Sequence, residues 1–153
     1  MPARKEPPLG LFWQFLTDFG DSAVALPLIG VIALYLRFCG WPRAALALTA
    51  ALGMGGLATA LTKIALQSCG HRLLEAGPVN PSGHVMMSTL AYGALALVLG
   101  IGLGGRLRRA IQAAAVALVA GIGVSRVALE AHSPGETAIG LGIGLLALAL
   151  FIG

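Results

Sequence analysis

SRVALEAHSPGE, residues 125–136, is a polar segment between two long apolar runs. It contains Arg126, Glu130, His132 and Glu136 within a short length of chain. Charged side chains are costly in hydrocarbon, so between two membrane spans they must face water, a partner or a substrate. This segment therefore separates two predicted spans and marks the end of the protein where we expect its chemistry.

The composition predicts a membrane protein. Of the 153 residues, 58% are hydrophobic and only 10% are charged, which is more apolar side chain than a soluble core of this size buries. We expect an all-α integral membrane helix bundle, with residues 1–153 forming a single membrane-embedded domain. The basic residues behind the net charge of +4 sit mainly in connectors, where they orient the chain in the bilayer, so no nucleic-acid partner is expected.

Five apolar stretches predict about five transmembrane helices. Several are near the ~20 residues that a helix needs to cross a bilayer, and the last two are shorter. In front of them, residues 1–21 contain a polar, proline-rich tail followed by aromatic and leucine side chains at helical spacing. This pattern favours an N-terminal interfacial helix, with an ordinary start to the first span as the alternative. The predicted spans cover residues 22–38, 44–66, 85–103, 110–124 and 137–152.

The connectors predict the orientation of the bundle. The first and third are short and basic, and the positive-inside rule places them in the cytoplasm, although two basic residues in the N-terminal tail oppose this weakly. The second and fourth connectors, residues 67–84 and 125–136, then face outward. The compact build favours a bacterial inner membrane, with these two connectors in the periplasm. The five arginines behind the assignment are Arg37, Arg43, Arg106, Arg108 and Arg109.

Small residues recur in the apolar stretches. Gly100 and Gly104 are four residues apart, as are Gly140 and Gly144. Glycine faces of this kind let helices approach closely in lipid. The contact they make lies either within one chain or between two copies, so a homodimer is an open alternative.

Residues 80–84, NPSGH, begin the third predicted span with a polar turn. Asn80 or Ser82 can cap the helix, and Gly83 lets backbone N–H groups approach a ligand closely. The helix N-terminus favours an anion, and a phosphate fits this description. A plain helix start explains the first four residues, whereas the adjacent His84 favours a binding or catalytic role.

Three cationic side chains fall on the same predicted side of the membrane. Lys63 is the single charge in an otherwise apolar span, and Arg72 and Arg126 lie in the two outward connectors. Together with a helix N-terminus, three such groups form a clamp for anionic oxygens. For Lys63 the alternative is that its side chain only extends to the membrane surface.

His132 and Glu136 are four residues apart, and two interpretations compete for the glutamate. SPGE, residues 133–136, is a capping-box pattern with proline at the first helical position. Alternatively, Glu136 holds one imidazole nitrogen of His132 and makes the other more basic. An imidazole activated in this way can attack phosphorus while His84 protonates the departing oxygen.

A metal site is not expected, and neither is another cofactor. The sequence has no His-Glu-x-x-His helix and no Cys/His cluster, and the nearby basic residues would repel a cation.

PSGH at residues 81–84, followed by Ser-Arg at residues 125–126, five residues and His132, resembles the second and third signature motifs of the type 2 phosphatidic acid phosphatase superfamily. The resemblance covers about residues 63–140. It implies a helical, metal-independent membrane phosphatase that acts on a lipid phosphate or an isoprenoid diphosphate. It also implies a role for each motif residue: His132 as the nucleophile that forms a phosphohistidine, Glu136 as its orienting carboxylate, His84 as the acid, and Lys63, Arg126, Ser82 and Gly83 as the groups that hold the phosphate.

The sequence departs from the family pattern at two places. The first motif has arginine seven residues after its lysine, but here that residue is Gly70, and Arg72 comes two positions later. Arg72 or His71 is therefore the candidate for this arginine's role. Glu136 also stands where the family usually has aspartate.

These observations leave three hypotheses about function. The first is a membrane phosphatase with its site at the outer surface. The second is a catalytically silent relative that binds or transports a lipid phosphate. The third is a vanadate-binding, haloperoxidase-like protein, against which the hydrophobicity and short length argue. The sequence does not distinguish phosphatidic acid, phosphatidylglycerophosphate and polyprenyl diphosphate as substrates.

Overall fold

The computed structural model describes residues 8–69 and 80–153, and within them the chain is helical apart from short connectors, with no strand. The six helices are α1 (Pro8–Asp18), α2 (Ser22–Phe38), α3 (Pro42–Cys69), α4 (Gly83–Leu99), α5 (Gly105–Ala128) and α6 (Pro134–Ile152). The predicted all-α class is confirmed.

The length and composition of these helices fit a multi-pass membrane protein. Within residues 8–69 and 80–153, four segments are long and apolar enough to span a bilayer: Gly10–Phe38, Pro42–Leu66, Gly105–Ala128 and Pro134–Ile152. The fifth, α4, is apolar but has only 17 residues. The count of about five agrees with the sequence. Helix α5 extends beyond the predicted span 110–124 at both ends, because the polar residues that flank its apolar part are helical too, so residues 125–128 belong to the helix and not to the connector.

Helix α4 lies at the centre of the bundle and packs against α2, α3, α5 and α6. Most of its buried positions are small or aliphatic, and Leu90, Ala91 and Ala94 are fully buried. Large apolar side chains such as Phe38 and Leu146 instead cover the outside of the bundle. Large apolar side chains on the outside of the bundle are expected in a bilayer, where lipid hydrocarbon surrounds that face.

The glycine pair on α6 makes a close contact inside the chain. A Cβ atom at Gly140 would overlap the backbone of Ser82, and one at Gly144 would lie 2.7 Å from the Cβ of Thr89. The pair therefore packs α6 against α4 and the turn before it, within one chain; the homodimer stays a prediction. Gly100 and Gly104 do not form a helix face, because they cap the end of α4 and the start of α5.

Helix α1 is a separate element, joined to α2 by the turn at residues 19–21. It packs against α5, with Thr17 buried, while Phe12 and Phe15 are exposed. A helix ahead of the first span is the favoured prediction, and α1 is such a helix. Its position at the membrane interface stays a prediction, because Gly10–Phe38 is also long and apolar enough to form one span.

The connectors fall at two opposite ends of the bundle. We call the end that carries residues 80–82 and 129–133 the site end. Residues 39–41 and 100–104 lie at the other end, together with the connector arginines.

Candidate active site

The connector between α5 and α6 begins with a hydrogen-bonded turn that ends α5. The N–H of Glu130 donates to the carbonyl of Val127 at 3.0 Å, and the N–H of Ala131 donates to the carbonyl of Arg126 at 3.0 Å. This pattern is a Schellman motif, with Glu130 in the left-handed region at φ 54° where glycine is more common. The N–H of His132 also donates to Arg126, at 3.2 Å, so the ending holds the histidine beside the last turn of α5.

Glu136 makes both of the contacts that the sequence analysis treats as alternatives. Its Oε2 accepts a hydrogen bond from the N–H of Ser133 at 2.8 Å, while its own N–H donates to Ser133 Oγ at 3.2 Å, which completes the capping box of α6. The same Oε2 lies 3.3 Å from Nδ1 of His132. Because Nδ1 faces the carboxylate, Nε2 is the imidazole nitrogen left for chemistry.

The two motif-bearing segments are joined through Glu136 as well. Its Oε1 accepts from the N–H of Asn80, and its carbonyl accepts from the N–H of Ser82 at 3.1 Å. The side chains of His132 and Glu136 are only 9% and 13% exposed. Residues 80–84 and the start of α6 therefore form one compact structure.

Ser82, rather than Asn80, caps α4. Its Oγ accepts from the N–H of Val85 at 3.5 Å, and the residue is fully buried. Gly83 follows at the first helical position, where a Cβ would meet nothing within 4 Å. Packing within the described chain therefore does not require glycine there, whereas the N–H groups of this first turn have no partners within the helix.

His84 lies on the first turn of α4 with its side chain 29% exposed. It comes two residues after Ser82, whose N–H donates to the carbonyl of Glu136, so its helix turn adjoins the segment that holds His132. Its Nε2 is 3.5 Å from Oδ2 of Asp21 in the α1–α2 turn. The structure therefore brings together both predicted catalytic histidines and Arg126, and adds a carboxylate that the sequence analysis did not identify.

Arg126 is partly buried near the end of α5. Its Nη1 donates to Oγ1 of Thr17 at 3.3 Å, while Nε is buried and has no hydrogen-bond partner within residues 8–69 and 80–153. A guanidinium held at one nitrogen keeps its other donors in a fixed geometry that suits phosphate oxygens.

Lys63 lies on α3, two turns beyond Gly55 and one beyond the buried Thr59. A Cβ at Gly55 would contact the side chains of Met86 and Ala147, so this face of α3 packs against α4 and α6. Lys63 is half-buried and follows on the same side of the helix. The described contacts include no hydrogen bond or ion pair from its ammonium group.

The remaining predicted phosphate-binding residue, Arg72, lies outside the described residues, as does its alternative, His71. Among the described side chains, no group of three or more His, Cys, Asp or Glu residues is placed to hold a metal ion. The expectation of a metal-free site stays a prediction.

An apolar groove of about 910 Å³ runs along the bundle beside this site. Helices α5 and α6 form its walls, α4 forms its floor, and the two walls touch at few places, so it opens sideways. One end is lined by Val127 and Thr137, the direct neighbours of Arg126 and Glu136, and the other end by Gln112. From residue 112 to residue 128, α5 spans about 24 Å, much of the ~30 Å thickness of a bilayer's hydrocarbon core.

These features define a class: a multi-pass helical membrane protein with a buried histidine–carboxylate site at one end and a lipid-facing groove beside it. The chain belongs to the PAP2 superfamily, because the model of that family matches residues 44–153. This match confirms the resemblance drawn from the PSGH and Ser-Arg-x5-His motifs.

The fold is similar to a crystal structure described as the first transmembrane PAP2 type phosphatidylglycerolphosphate phosphatase from Bacillus subtilis. The TM-score is 0.79 and the sequence identity 25%, and the match covers 97% of this chain and 77% of that chain. No curated protein sequence matches significantly. The chain therefore has the fold of a PAP2-type membrane phosphatase.

Proposed function

We propose that this protein is a metal-independent phosphatase that removes phosphate from a lipid phosphate or a polyprenyl diphosphate. The observation that carries the proposal is that two features meet. Hydrogen bonds hold the segments of His132, Glu136, His84 and Arg126 together, and the apolar groove ends beside them. A polar site with this access suits a substrate that has a phosphate head and a long apolar tail.

The reaction we propose has two steps. In the first, Nε2 of His132 attacks phosphorus while Glu136 holds the Nδ1 proton; the bond to the leaving oxygen breaks, and that oxygen takes a proton from His84. In the second, a water molecule attacks the phosphohistidine and gives its proton to His84. The phosphorus–nitrogen bond breaks, phosphate leaves, and both histidines return to their starting protonation states.

The phosphate oxygens would be held by Arg126, by the first-turn N–H groups at Gly83 and His84, and by Lys63. Arg72 is proposed for the same role from the sequence alone. We assign Ser82 a different part: because its hydroxyl is buried as the cap of α4, it shapes the turn that presents these N–H groups.

We further propose that the site end faces the periplasm of a bacterial inner membrane. The support is the position of the connector arginines at the opposite end of the bundle. A homodimer stays a prediction. The glycine pair Gly140 and Gly144 does not support it, because both residues pack within one chain.

Purified protein in detergent is expected to release phosphate from at least one of phosphatidic acid, phosphatidylglycerophosphate or a polyprenyl diphosphate in the presence of a chelator. Phosphate release is measured across this panel, and the relative kcat/KM values rank the substrates. Activity that disappears with chelation would refute the metal-free mechanism. Folded protein that releases nothing from any of them would favour the silent relative that only binds or transports lipid phosphate.

Ala120→Phe is expected to raise KM about tenfold for long-chain lipid phosphates and to leave kcat unchanged. Ala120 lines the groove, and a phenyl group there would displace roughly two methylene groups of the tail, about 1.6 kcal/mol of binding. Steady-state kinetics on a long-chain lipid phosphate and on p-nitrophenyl phosphate, which has no tail, provide the comparison.

Ala117 supplies the matched control, because it is exposed on the same helix but does not line the groove. Ala117→Phe should behave like the parent protein with both substrates. An equal effect of the two variants, or an effect of Ala120→Phe on the tail-less substrate, would remove the groove from the substrate path.

A further inference from the structure

The turn between α1 and α2 is fixed against the site. The carbonyl of Phe19 accepts a hydrogen bond from the Tyr92 hydroxyl at 2.7 Å. Gly20 is buried, and a Cβ there would lie 2.7 Å from Cγ2 of Ile122 and 3.4 Å from Cβ of His84. Packing on α4 and α5 thus determines where the next residue, Asp21, can place its carboxylate.

The two oxygens of Asp21 face different partners. Oδ1 accepts from the N–H of Ala23 at 2.7 Å and caps α2, whereas Oδ2 lies 3.5 Å from Nε2 of His84. Helix capping explains the first contact but not the second. Asp21 also lies outside residues 44–153, the part of the chain that the PAP2 family model matches.

The positive charge of Arg126 acts against protonation of His84. Asp21 is the carboxylate in contact with this imidazole among the described residues. A general acid must carry its proton before it can donate it. A carboxylate next to an imidazole favours the protonated state and fixes which nitrogen faces the substrate.

We propose that Asp21 is a positioning residue for His84, an inference that rests on the proposed phosphatase mechanism. Asp21 holds the Nε2 proton of His84 and directs Nδ1 toward the leaving oxygen. In the first step the Nδ1 proton passes to that oxygen as its bond to phosphorus breaks. In the second step the same Nδ1 accepts a proton from the attacking water, so Nε2 remains bound to Asp21 throughout.

This proposal gives the protein two carboxylate–imidazole pairs with different origins. Glu136 and His132 come from one segment within the matched part of the chain. Asp21 and His84 join the N-terminal segment to α4. Thr17 of the same segment accepts a hydrogen bond from Arg126. Helix α1 and its turn therefore contact both the proposed acid and a proposed phosphate ligand.

The test is the substitution Asp21→Asn, which keeps an oxygen that can cap α2 but removes the charge. We compare kcat/KM for a lipid phosphate, whose alkoxide leaving group needs a proton, with kcat/KM for p-nitrophenyl phosphate, whose leaving group does not. The expected loss is about tenfold for the lipid phosphate, a part of the 10²–10⁴-fold that a general acid supplies, and under about twofold for the aryl phosphate. Thermal unfolding in detergent should be unchanged.

Two further variants separate the failure of this inference from the failure of the proposed function. Asp18→Asn changes a nearby exposed carboxylate and should leave both substrates unaffected. His84→Gln, like Asp21→Asn, should lower kcat/KM more for the lipid phosphate than for the aryl phosphate, and this difference should be larger than in Asp21→Asn. If His84→Gln shows it and Asp21→Asn does not, or if Asp21→Asn slows both substrates equally, Asp21 is only a cap. If His84→Gln itself lacks the preference, the acid assignment fails and this inference fails with it.

Discussion

His132→Asn is expected to lower phosphate release from every substrate by roughly 10³- to 10⁶-fold, as the loss of a nucleophile does in other covalent mechanisms. Nε2 of His132 is the nitrogen left for attack, because Nδ1 lies against Glu136. Asparagine retains an amide near the position of Nδ1, so the contact with Glu136 and the capping box of α6 should survive. The measurement is phosphate release by purified protein in chelator, with thermal unfolding recorded in parallel.

The comparison with His84 distinguishes a nucleophile from an acid. A variant of the proposed acid, His84, should retain much of its activity on p-nitrophenyl phosphate. His132→Asn should lose activity on both the aryl phosphate and the lipid phosphate. Wild-type protein quenched in alkali during turnover should carry phosphate on histidine, and His132→Asn should carry none. Retention of more than about one hundredth of the activity by folded His132→Asn would contradict the proposed mechanism.

The sequence predicted this part of the site because its signals are local. His132 and Glu136 are four residues apart, within reach of one another at a helix start. From the sequence alone, capping of α6 and orientation of His132 are competing roles for one carboxylate. The structure shows that they are compatible: the Oε2 that caps α6 also faces His132, and Oε1 is free to bind Asn80.

The contribution of the N-terminal segment could not be predicted in the same way. Asp21 has a complete local explanation as the cap of α2, and its contact with His84 joins residues 63 positions apart. Thr17 and Arg126 are separated by 109 positions. Neither pair has a spacing rule, because each depends on how α1 and the turn after it pack against α4 and α5. The groove was missed for a similar reason: its walls are ordinary apolar residues, and only the arrangement of α5 and α6 leaves a space between them.

The sequence predicts that a helix approaches α6 closely, but it does not identify that helix. Glycines four residues apart predict that some helix approaches. They do not identify which helix, and in this chain the contact is with α4, at the turn that begins it. The packing glycines and the PSGH motif, which the sequence analysis treated separately, are therefore parts of the same junction.

Gly140→Ala is accordingly expected to lower both stability and activity. The added Cβ would overlap the backbone of Ser82, which has no flexible end that can move aside, so α4 and α6 must separate. Overpacking of this kind costs about 1–3 kcal/mol. The shift also falls on the Ser82–Glu136 hydrogen bond that joins the two motif-bearing segments. A displacement of about 1 Å between catalytic groups can cost about 100-fold in rate.

Gly142 provides the control two residues further along α6, because it is exposed and a Cβ there would meet nothing within 4 Å. Gly142→Ala should leave activity unchanged and stabilise the helix by up to about 1 kcal/mol. Thermal unfolding and kcat/KM are measured for both variants in the same detergent. If Gly140→Ala matched Gly142→Ala in both thermal stability and kcat/KM, the close approach of α6 to the turn at Ser82 would not be what holds His84 and His132 together. A loss of activity without a loss of stability would instead show that the junction controls the geometry of the site more than it holds the bundle together.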